Sequence, residues 1–420
     1  MIVFPRMIRI KQNMPSQELA DVHAGVCQAL DSIKVRQMNL EGKDIGITAG
    51  SRGIKNIPLI LKTVADYIKA AGGNPILIPS MGTHGGGALE GQREVLASLG
   101  ITEESVGAPA RCCIDTVLLG ETPSGVPVYC NSEAVKMDGL VVVNRIKAHT
   151  DFSGEIESGI CKMFAIGLGS EKGAYTTHSH AIIKGYEKVI TEVAEVMISK
   201  LPVLFAVGIL ENWKSETAEI GAFLPGEIVE KEKLMLAKYK ESAIKLPFTY
   251  LDVLAVGEIG KNISGTGMDT KVIGRIRIRG QKEPDKPQIA RIVVLGLTEE
   301  SHGNAVGIGL ADITTREVFE SIDLHRTGFN CISSMAPEQG FIPCVAADDR
   351  EALESALTTL GAVEFSKVRM VYIKNTSSLE EMAVSEALIE EVQSDTRLDI
   401  IGELEELQFD ASGKLLNFRW

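Results

Sequence analysis

The sequence predicts an α/β protein of two α/β domains with mostly parallel sheets and an active-site cleft between the domains. Short, β-branched apolar runs alternate with amphipathic segments along the first half of the chain, which is the pattern of strand–helix–strand units. The pattern restarts at the very apolar run Leu251–Val256, which a glycine-rich loop follows. We therefore predict an N-terminal domain over 1–248 and a C-terminal domain over 249–399. The alternating apolar residues of the tail 400–420 are compatible with a strand pair that joins the first domain.

The individual elements follow from apolar spacing and from stop signals such as Gly72-Gly73 after the first long helix. Short apolar runs predict strands at Asp44–Thr48, Pro75–Pro79, Asp115–Leu119, Val126–Tyr129, Leu140–Val143, Val203–Leu210, Leu251–Val256, Ala290–Leu297 and Val368–Ile373. Apolar residues at helical spacing predict helices at Pro58–Ala71, Gly91–Leu99, Ala181–Lys200, Ile228–Ile244, Thr314–Ile322, Arg350–Leu360 and Leu379–Glu391. Repeated units of this kind favour helices on both faces of each sheet.

Composition excludes several classes of partner. The 420 residues carry a formal charge of −13 and a pI near 5.2, which argues against nucleic acid or an anionic membrane as the main partner. No uncharged apolar run approaches the ~20 residues of a membrane helix. The first residues, MIVFPRMIRIKQN, carry a proline and charges where a signal peptide needs an apolar core. Seven cysteines without a CxxC pair fit reduced thiols. We expect a cytoplasmic protein, and the oligomeric state stays open.

The residues with candidate catalytic or binding roles are concentrated between Leu140 and His180. A buried strand is followed by His149, by a series of glycines around Lys162, and by the pair His178 and His180. In an open α/β sheet, ligands bind just beyond the carboxyl ends of the strands, and the loop after this strand would lie there. The segment is therefore the predicted centre of the functional site.

Two histidines follow predicted strands directly. His84 stands in Gly82-Thr83-His84-Gly85 after one strand, and His149 follows the apolar strand that ends at Val143. A histidine in this position can act as a general acid or base near neutral pH. The alternative is a turn histidine that makes only local hydrogen bonds.

The other candidates also have plain structural alternatives. Lys162, in SGICKMFAIG, fits covalent attachment or a lowered pKa, or else a lysine whose stem lies along a helix. His178 and His180 fit a nickel, zinc or copper site, or else exposed residues after a helix start that Thr176 or Thr177 caps. Arg52 fits a forked donor to a carboxylate or phosphate, or else a surface arginine. Neither a Walker loop nor a complete dinucleotide fingerprint is present, so the sequence supports neither ATP nor NAD.

The order of these motifs resembles the lactate racemase family. The resemblance rests on Ser51-Arg52, on Gly82-Thr83-His84, on SGVPVYCN, on His149 with Phe152-Ser153-Gly154, and on Lys162 and His178. It spans roughly residues 45–200. This chain has Gly85-Gly86 where the family commonly has Arg-Pro. Its segment between His149 and Lys162 is longer and more acidic than usual, with Asp151, Glu155 and Glu157.

The resemblance implies a nickel-pincer nucleotide, a pyridinium mononucleotide with two sulfur-containing arms, one of which a lysine holds as a thioamide. Carried over by position, Lys162 is the attachment lysine and His178 the nickel ligand, while Gly82, Thr83 and Gly85 lie beside the cofactor. His84 and His149 become the two acid/bases, and Arg52 holds an acidic group.

The function implied is a racemase or epimerase of a 2-hydroxy acid, an isomerase that meets cofactor-synthesis enzymes transiently. Two alternatives stay open at this point. One is a metal-dependent hydrolase or lyase without the pincer cofactor, and the other is a non-catalytic protein that binds a nucleotide or cofactor.

Overall fold

The computed structural model describes residues 3–418, which form two compact units. The N-terminal unit comprises Ser16–His149 and Ser153–Ala243. The C-terminal unit comprises the chain up to Pro15, the short segment Thr150–Phe152, and the chain from Ile244 onward. The division at residues 248 and 249 stays a prediction. The structure groups both the first strand and the tail with the C-terminal unit.

The described residues form strands and helices in alternation, with several single helical turns besides. The strands are β1 Met7–Gln12, β2 Asp44–Ala49, β3 Asn74–Pro79, β4 Thr116–Glu121, β5 Pro127–Asn131, β6 Gly139–Arg145, β7 Val203–Glu211, β8 Thr217–Phe223, β9 Tyr250–Val256, β10 Gln288–Val294, β11 Ile313–Thr315, β12 Cys344–Ala346, β13 Met370–Asn375, β14 Ser378–Ser385 and β15 Leu398–Ile400. The helices are α1 Val22–Ser32, α2 Ile57–Ala70, α3 Leu89–Ser98, α4 Glu103–Val106, α5 Ser132–Val135, α6 Ile160–Lys162, α7 Ser170–Lys184, α8 Tyr186–Lys200, α9 Ile228–Ser242, α10 Thr270–Ile273, α11 Arg316–Ser321, α12 Leu324–Ser333, α13 Asp349–Thr358 and α14 Ile389–Ser394.

The N-terminal unit is built on a five-stranded sheet in the order β3-β2-β6-β7-β8. The first four strands are parallel, and β8 pairs antiparallel with β7. Strands β2 and β6 are central and buried almost throughout, as expected for strands that are covered on both faces. A single apolar core joins these strands to α1 and α2.

The C-terminal unit is built on an eight-stranded sheet in the order β12-β11-β10-β9-β13-β14-β1-β15. Its strands from β12 to β13 are parallel. The remaining pairs, β13-β14, β14-β1 and β1-β15, are antiparallel. The two units together confirm the predicted α/β class with mostly parallel sheets.

One predicted helix is wrong, and another is divided in two. The segment Leu379–Glu391 was predicted to be helical because Leu379, Met382 and Ala383 recur at helical spacing. The structure has strand β14 there, paired on both sides, with α14 only at the end. Burial between two partner strands outweighs a local helical pattern. The predicted helix Ala181–Lys200 is instead the end of α7 and the whole of α8, with a break at Gly185.

The tail pairs with the first strand of the chain. Its strand β15 pairs with β1, and Phe409 forms an isolated bridge with Leu415, all inside the C-terminal unit. Between residues 3 and 418, every helix is too short or too polar to cross a membrane.

Candidate functional site

Three loops meet at one edge of the N-terminal sheet because their strands are parallel neighbours. Strand β2 runs between β3 and β6, with Ala49 opposite Pro79 and Ile47 opposite Val141. The carboxyl ends of these strands therefore deliver Ser51-Arg52, the His84 loop and the His149 loop to the same edge. His84 follows β3 and His149 follows β6, the strands on either side of β2, so the arginine loop lies between them.

The His84 loop is a tight turn that only glycine can make. Gly85 has a φ of +74°, and a Cβ on it would lie 2.8 Å from the carbonyl carbon of Gly91. Gly82 has its N–H 3.3 Å from the carbonyl oxygen of Gly167, which ties this loop to the helical segment that carries Lys162. His84 is exposed, as is Thr83. The Nδ1 atom of His84 shares a short hydrogen bond with the hydroxyl of Ser51.

Lys162 and His149 contact each other directly. The Nζ atom of Lys162 lies 2.5 Å from Nε2 of His149, although the two residues come from separate elements. Lys162 ends the short helix α6, and a π-helical turn follows at once over Met163–Leu168. Such turns are rare and occur frequently at functional sites. Two predicted site residues are therefore in contact.

Two buried carboxylates support this pair, and the sequence did not single them out for function. Glu157 is fully buried. Its Oε2 accepts the backbone N–H of His149 at 2.6 Å, and its Oε1 pairs with Nζ of Lys240 at 2.5 Å. Glu232, on α9, is also fully buried, and its Oε2 accepts the N–H of Cys161 at 2.7 Å. Burial raises the pKa of Glu232 to about 7. The sequence marked Glu157 only as acidic, and no local signal marks Glu232.

His178 lies within α7 and so is not in the N-cap region of a helix, which removes the Thr176 or Thr177 capping alternative. Its Nδ1 atom is enclosed and has no hydrogen-bond partner within residues 3–418. Burial, together with the nearby charge of Lys162, lowers the pKa of His178 to about 4. The imidazole is consequently neutral at pH 7. Because the charge of Lys162 acts on the imidazole of His178 and its amine contacts His149, these three residues form one group.

His180 has a different role from His178. Its Nδ1 lies 2.8 Å from the backbone carbonyl oxygen of Thr176, one turn earlier in the same helix, and donates a hydrogen bond to it. The ring is therefore engaged by its own helix. Among the described residues, no group of three or more His, Cys, Asp or Glu side chains is arranged to hold a metal ion.

Arg52 adds positive charge to the same edge. Burial, and then the charge of Arg145, lower the pKa of the Arg52 guanidinium. Arg145 forms an ion pair with the buried carboxylate of Glu211, which also accepts the N–H of Lys55 at 2.6 Å. Arg52 makes no ion pair within the described part of the chain. A cation that is partly desolvated beside a second cation favours an anionic ligand.

The fold and this site define an α/β protein whose histidines and lysine gather at the carboxyl edge of a parallel sheet. Residues 8–190 match the profile of the lactate racemase N-terminal domain. Over these residues, which are less than half of the chain, the protein is similar to the lactate racemase N-terminal domain.

Two solved structures are similar to most of the chain. The lactate racemase apoprotein from Thermoanaerobacterium thermosaccharolyticum has a TM-score of 0.55 and 14% identity, covering 89% of this chain and 99% of its own. A structural-genomics protein from Thermotoga maritima has a TM-score of 0.52 and 12% identity, covering 76% of this chain and 82% of its own. At these identities the similarity shows a shared fold. A search of curated proteins finds no match.

Proposed function

We propose that this protein is a racemase or epimerase of a 2-hydroxy acid that uses a nickel-pincer nucleotide tethered to Lys162. The observation that carries the proposal is the grouping of His149, Lys162 and His178, which the chain draws from three separate elements. The match to the lactate racemase N-terminal domain supports an isomerase, and the resemblance supports the cofactor. The substrate and the hydride mechanism are parts of this proposal.

The residues present fit the cofactor. A thioamide tether needs an amine, which Lys162 supplies. Nickel in a pincer that brings its own sulfur and carbon donors needs one further ligand, and a neutral imidazole suits that metal. His178 is such an imidazole, because its pKa is lowered to about 4 and its enclosed Nδ1 lacks a hydrogen-bond partner among the residues that the structure describes. The absence of a three-residue metal cluster among the described residues is compatible with this arrangement.

The chemistry of the two histidines is acid/base work on the substrate hydroxyl. When bound, the cofactor supplies the site that accepts and returns a hydride. Inverting the carbon centre then requires one group that takes the hydroxyl proton and a second that returns it for the opposite face. His84 and His149 lie on either side of the β2 loop and are the two candidates. The Ser51 contact occupies Nδ1 of His84, so proton exchange with a substrate falls to its Nε2.

Attachment of the cofactor changes the charge of Lys162. In this structure its amine contacts Nε2 of His149 at 2.5 Å, and an ammonium there donates a hydrogen bond to the imidazole. Acylation removes the positive charge, which leaves Nε2 available to accept the proton of the substrate hydroxyl. Arg52 binds the substrate carboxylate with its forked donors and orients the hydroxyl toward the histidines.

Intact-protein mass spectrometry after co-expression with pincer-synthesis enzymes tests the proposal. We expect one covalent adduct on Lys162 and one nickel per chain. We also expect racemisation of at least one 2-hydroxy acid, with the α-deuterium of a labelled substrate retained in the product. His84→Ala and His149→Ala should each abolish racemisation and leave the adduct in place.

Three outcomes contradict the proposal. Nickel or zinc without an adduct points to a metal-dependent hydrolase or lyase. An adduct without turnover of any hydroxy acid points to a non-catalytic cofactor-binding protein. Full activity of either histidine variant refutes the two-base scheme.

A further inference from the structure

Helix α9 lies outside the matched range 8–190 but contacts both elements that present the His149–Lys162 pair. It carries Glu232 and Lys240, eight positions apart in the sequence and so about 12 Å apart along the helix axis. Each of these side chains reaches a different part of the site. The helix is therefore in a position to set the distance between those parts.

The first connection runs from Glu232 to the helix of Lys162. The carboxylate accepts the N–H of Cys161, the residue directly before the lysine, at 2.7 Å. Gly159 makes this approach feasible, since a Cβ at that position would overlap Oε1 of Glu232. Glu232 has no exposed surface, and its Oε1 has no hydrogen-bond partner within residues 3–418. Burying a carboxyl group whose second oxygen has no hydrogen-bond partner lowers the stability of the folded protein.

The second connection runs from Lys240 through Glu157 to the loop of His149. The Nζ atom of Lys240 lies 2.5 Å from Oε1 of Glu157 and donates to the carbonyl oxygen of Gly154 at 2.6 Å. The same carboxylate accepts the N–H of His149 at 2.6 Å and that of Gly154 at 3.0 Å. Glu157 belongs to the acidic segment in which this chain differs from the lactate racemase family.

We propose that Glu232, Lys240 and Glu157 are positioning residues, through which α9 holds His149 and Lys162 at contact distance. The consequence for catalysis rests on the proposed function. The structural consequence does not, because the contact joins two side chains of this chain. Small displacements matter here, since a shift of about 1 Å in a reacting group can reduce a rate roughly 10²-fold.

The protein without cofactor provides a test that does not depend on activity. The ¹⁵N resonance of Nε2 in His149, assigned by its loss in His149→Asn, reports the contact with Lys162. Lys162→Met removes the amine that contacts His149. The change in the chemical shift of Nε2 in this variant is the reference for complete loss of the contact. We expect Lys240→Met to reproduce most of that change. Lys238→Met is the matched control, because Lys238 lies on the same helix and pairs with the exposed Glu219. A wild-type His149 resonance in Lys240→Met overturns the proposal.

The carboxylate of Glu232 is tested by a conservative and a disruptive substitution. Glu232→Gln keeps an oxygen that accepts the N–H of Cys161, whereas Glu232→Ala removes it. In the loaded enzyme we expect kcat to fall roughly 10²-fold in the alanine variant, with KM within a few-fold, and to recover most of its value in the glutamine variant. Equal kcat in all three proteins, each carrying the adduct, contradicts a positioning role.

Lys240→Met leaves the buried Glu157 without its cation, which can prevent folding. The double variant Glu157→Gln, Lys240→Met removes both charges and keeps the packing, so it provides a folded protein for the same resonance. We expect the His149 shift to change in this variant too, and an unchanged shift overturns the proposal. If wild-type protein carries no adduct or shows no racemisation, the proposed function fails, while the resonance still decides the role of α9.

Discussion

The raised pKa of the buried Glu232 carboxyl predicts how the stability of the protein changes with pH, both in sign and in size. Burial raises its pKa from 4.5 to about 7. In the pH range between these values the unfolded chain has lost the proton that the folded protein keeps, so stability falls as the pH rises. Below pH 4.5 both states are protonated, and above pH 7 the full difference is present. With about 1.4 kcal/mol for each pKa unit, that difference is roughly 3 kcal/mol.

Glu232→Gln removes this titration and keeps the acceptor oxygen. Relative to wild type, the variant should therefore gain roughly 3 kcal/mol of unfolding free energy between pH 4 and pH 8. Effects of other groups, including His178, cancel because both proteins contain them. Urea unfolding at several pH values measures the difference, with Trp213 fluorescence reporting the N-terminal unit in a Trp420→Phe background.

Glu230→Gln is the matched control for this experiment. Glu230 lies on the same helix, its side chain is 75% exposed, and it pairs with Lys233 on the surface. Its substitution should change the unfolding free energy by well under 1 kcal/mol at every pH. If the difference between Glu232→Gln and wild type is the same at pH 5 and pH 8, the carboxyl ionises normally and the reasoning is refuted.

Three further predictions concern the site itself. The imidazole of His178 should titrate near pH 4 in a histidine NMR experiment on the protein without cofactor, and a midpoint near 6.5 contradicts its desolvation. Lys162→Arg should keep the positive charge but abolish the covalent adduct in an intact mass spectrum, and an adduct on this variant places the tether elsewhere. Gly159→Ala should destabilise the N-terminal unit by about 1–3 kcal/mol in urea unfolding, because the new methyl group overlaps Glu232, and an unchanged midpoint shows that Glu232 moves away easily.

Local pattern was enough to predict most of the framework of the site. The runs at Asp44–Thr48, Pro75–Pro79 and Leu140–Val143 are short, apolar and followed by glycine-containing or polar loops, and each is a strand of the N-terminal sheet. Parallel strands present their carboxyl ends at one edge. The placement of His84 and His149 beyond those ends therefore followed from sequence and topology alone.

The sequence pattern was insufficient where contacts with other segments decide whether a segment forms a helix or a strand. The residues of β14 have helical spacing, but they lie between β13 and β1, and strand pairing on both sides prevails. The helix that was predicted from Ala181 onward is divided at Gly185, and its first part begins at Ser170 and includes both histidines. That earlier start changed the interpretation of His178 from a residue near a helix cap to an enclosed one.

The amino-acid sequence by itself determined the α/β class, the order of the strands along the chain and the identity of the residues at their ends. These properties depend on apolar periodicity and on glycine, which act over a few neighbouring residues. Only the tertiary structure decided that His178 is neutral, that Lys162 contacts His149, and that Glu232 holds a backbone group 71 residues away. A pKa depends on burial and on nearby charge, and both are produced by contacts between segments that are remote in the sequence.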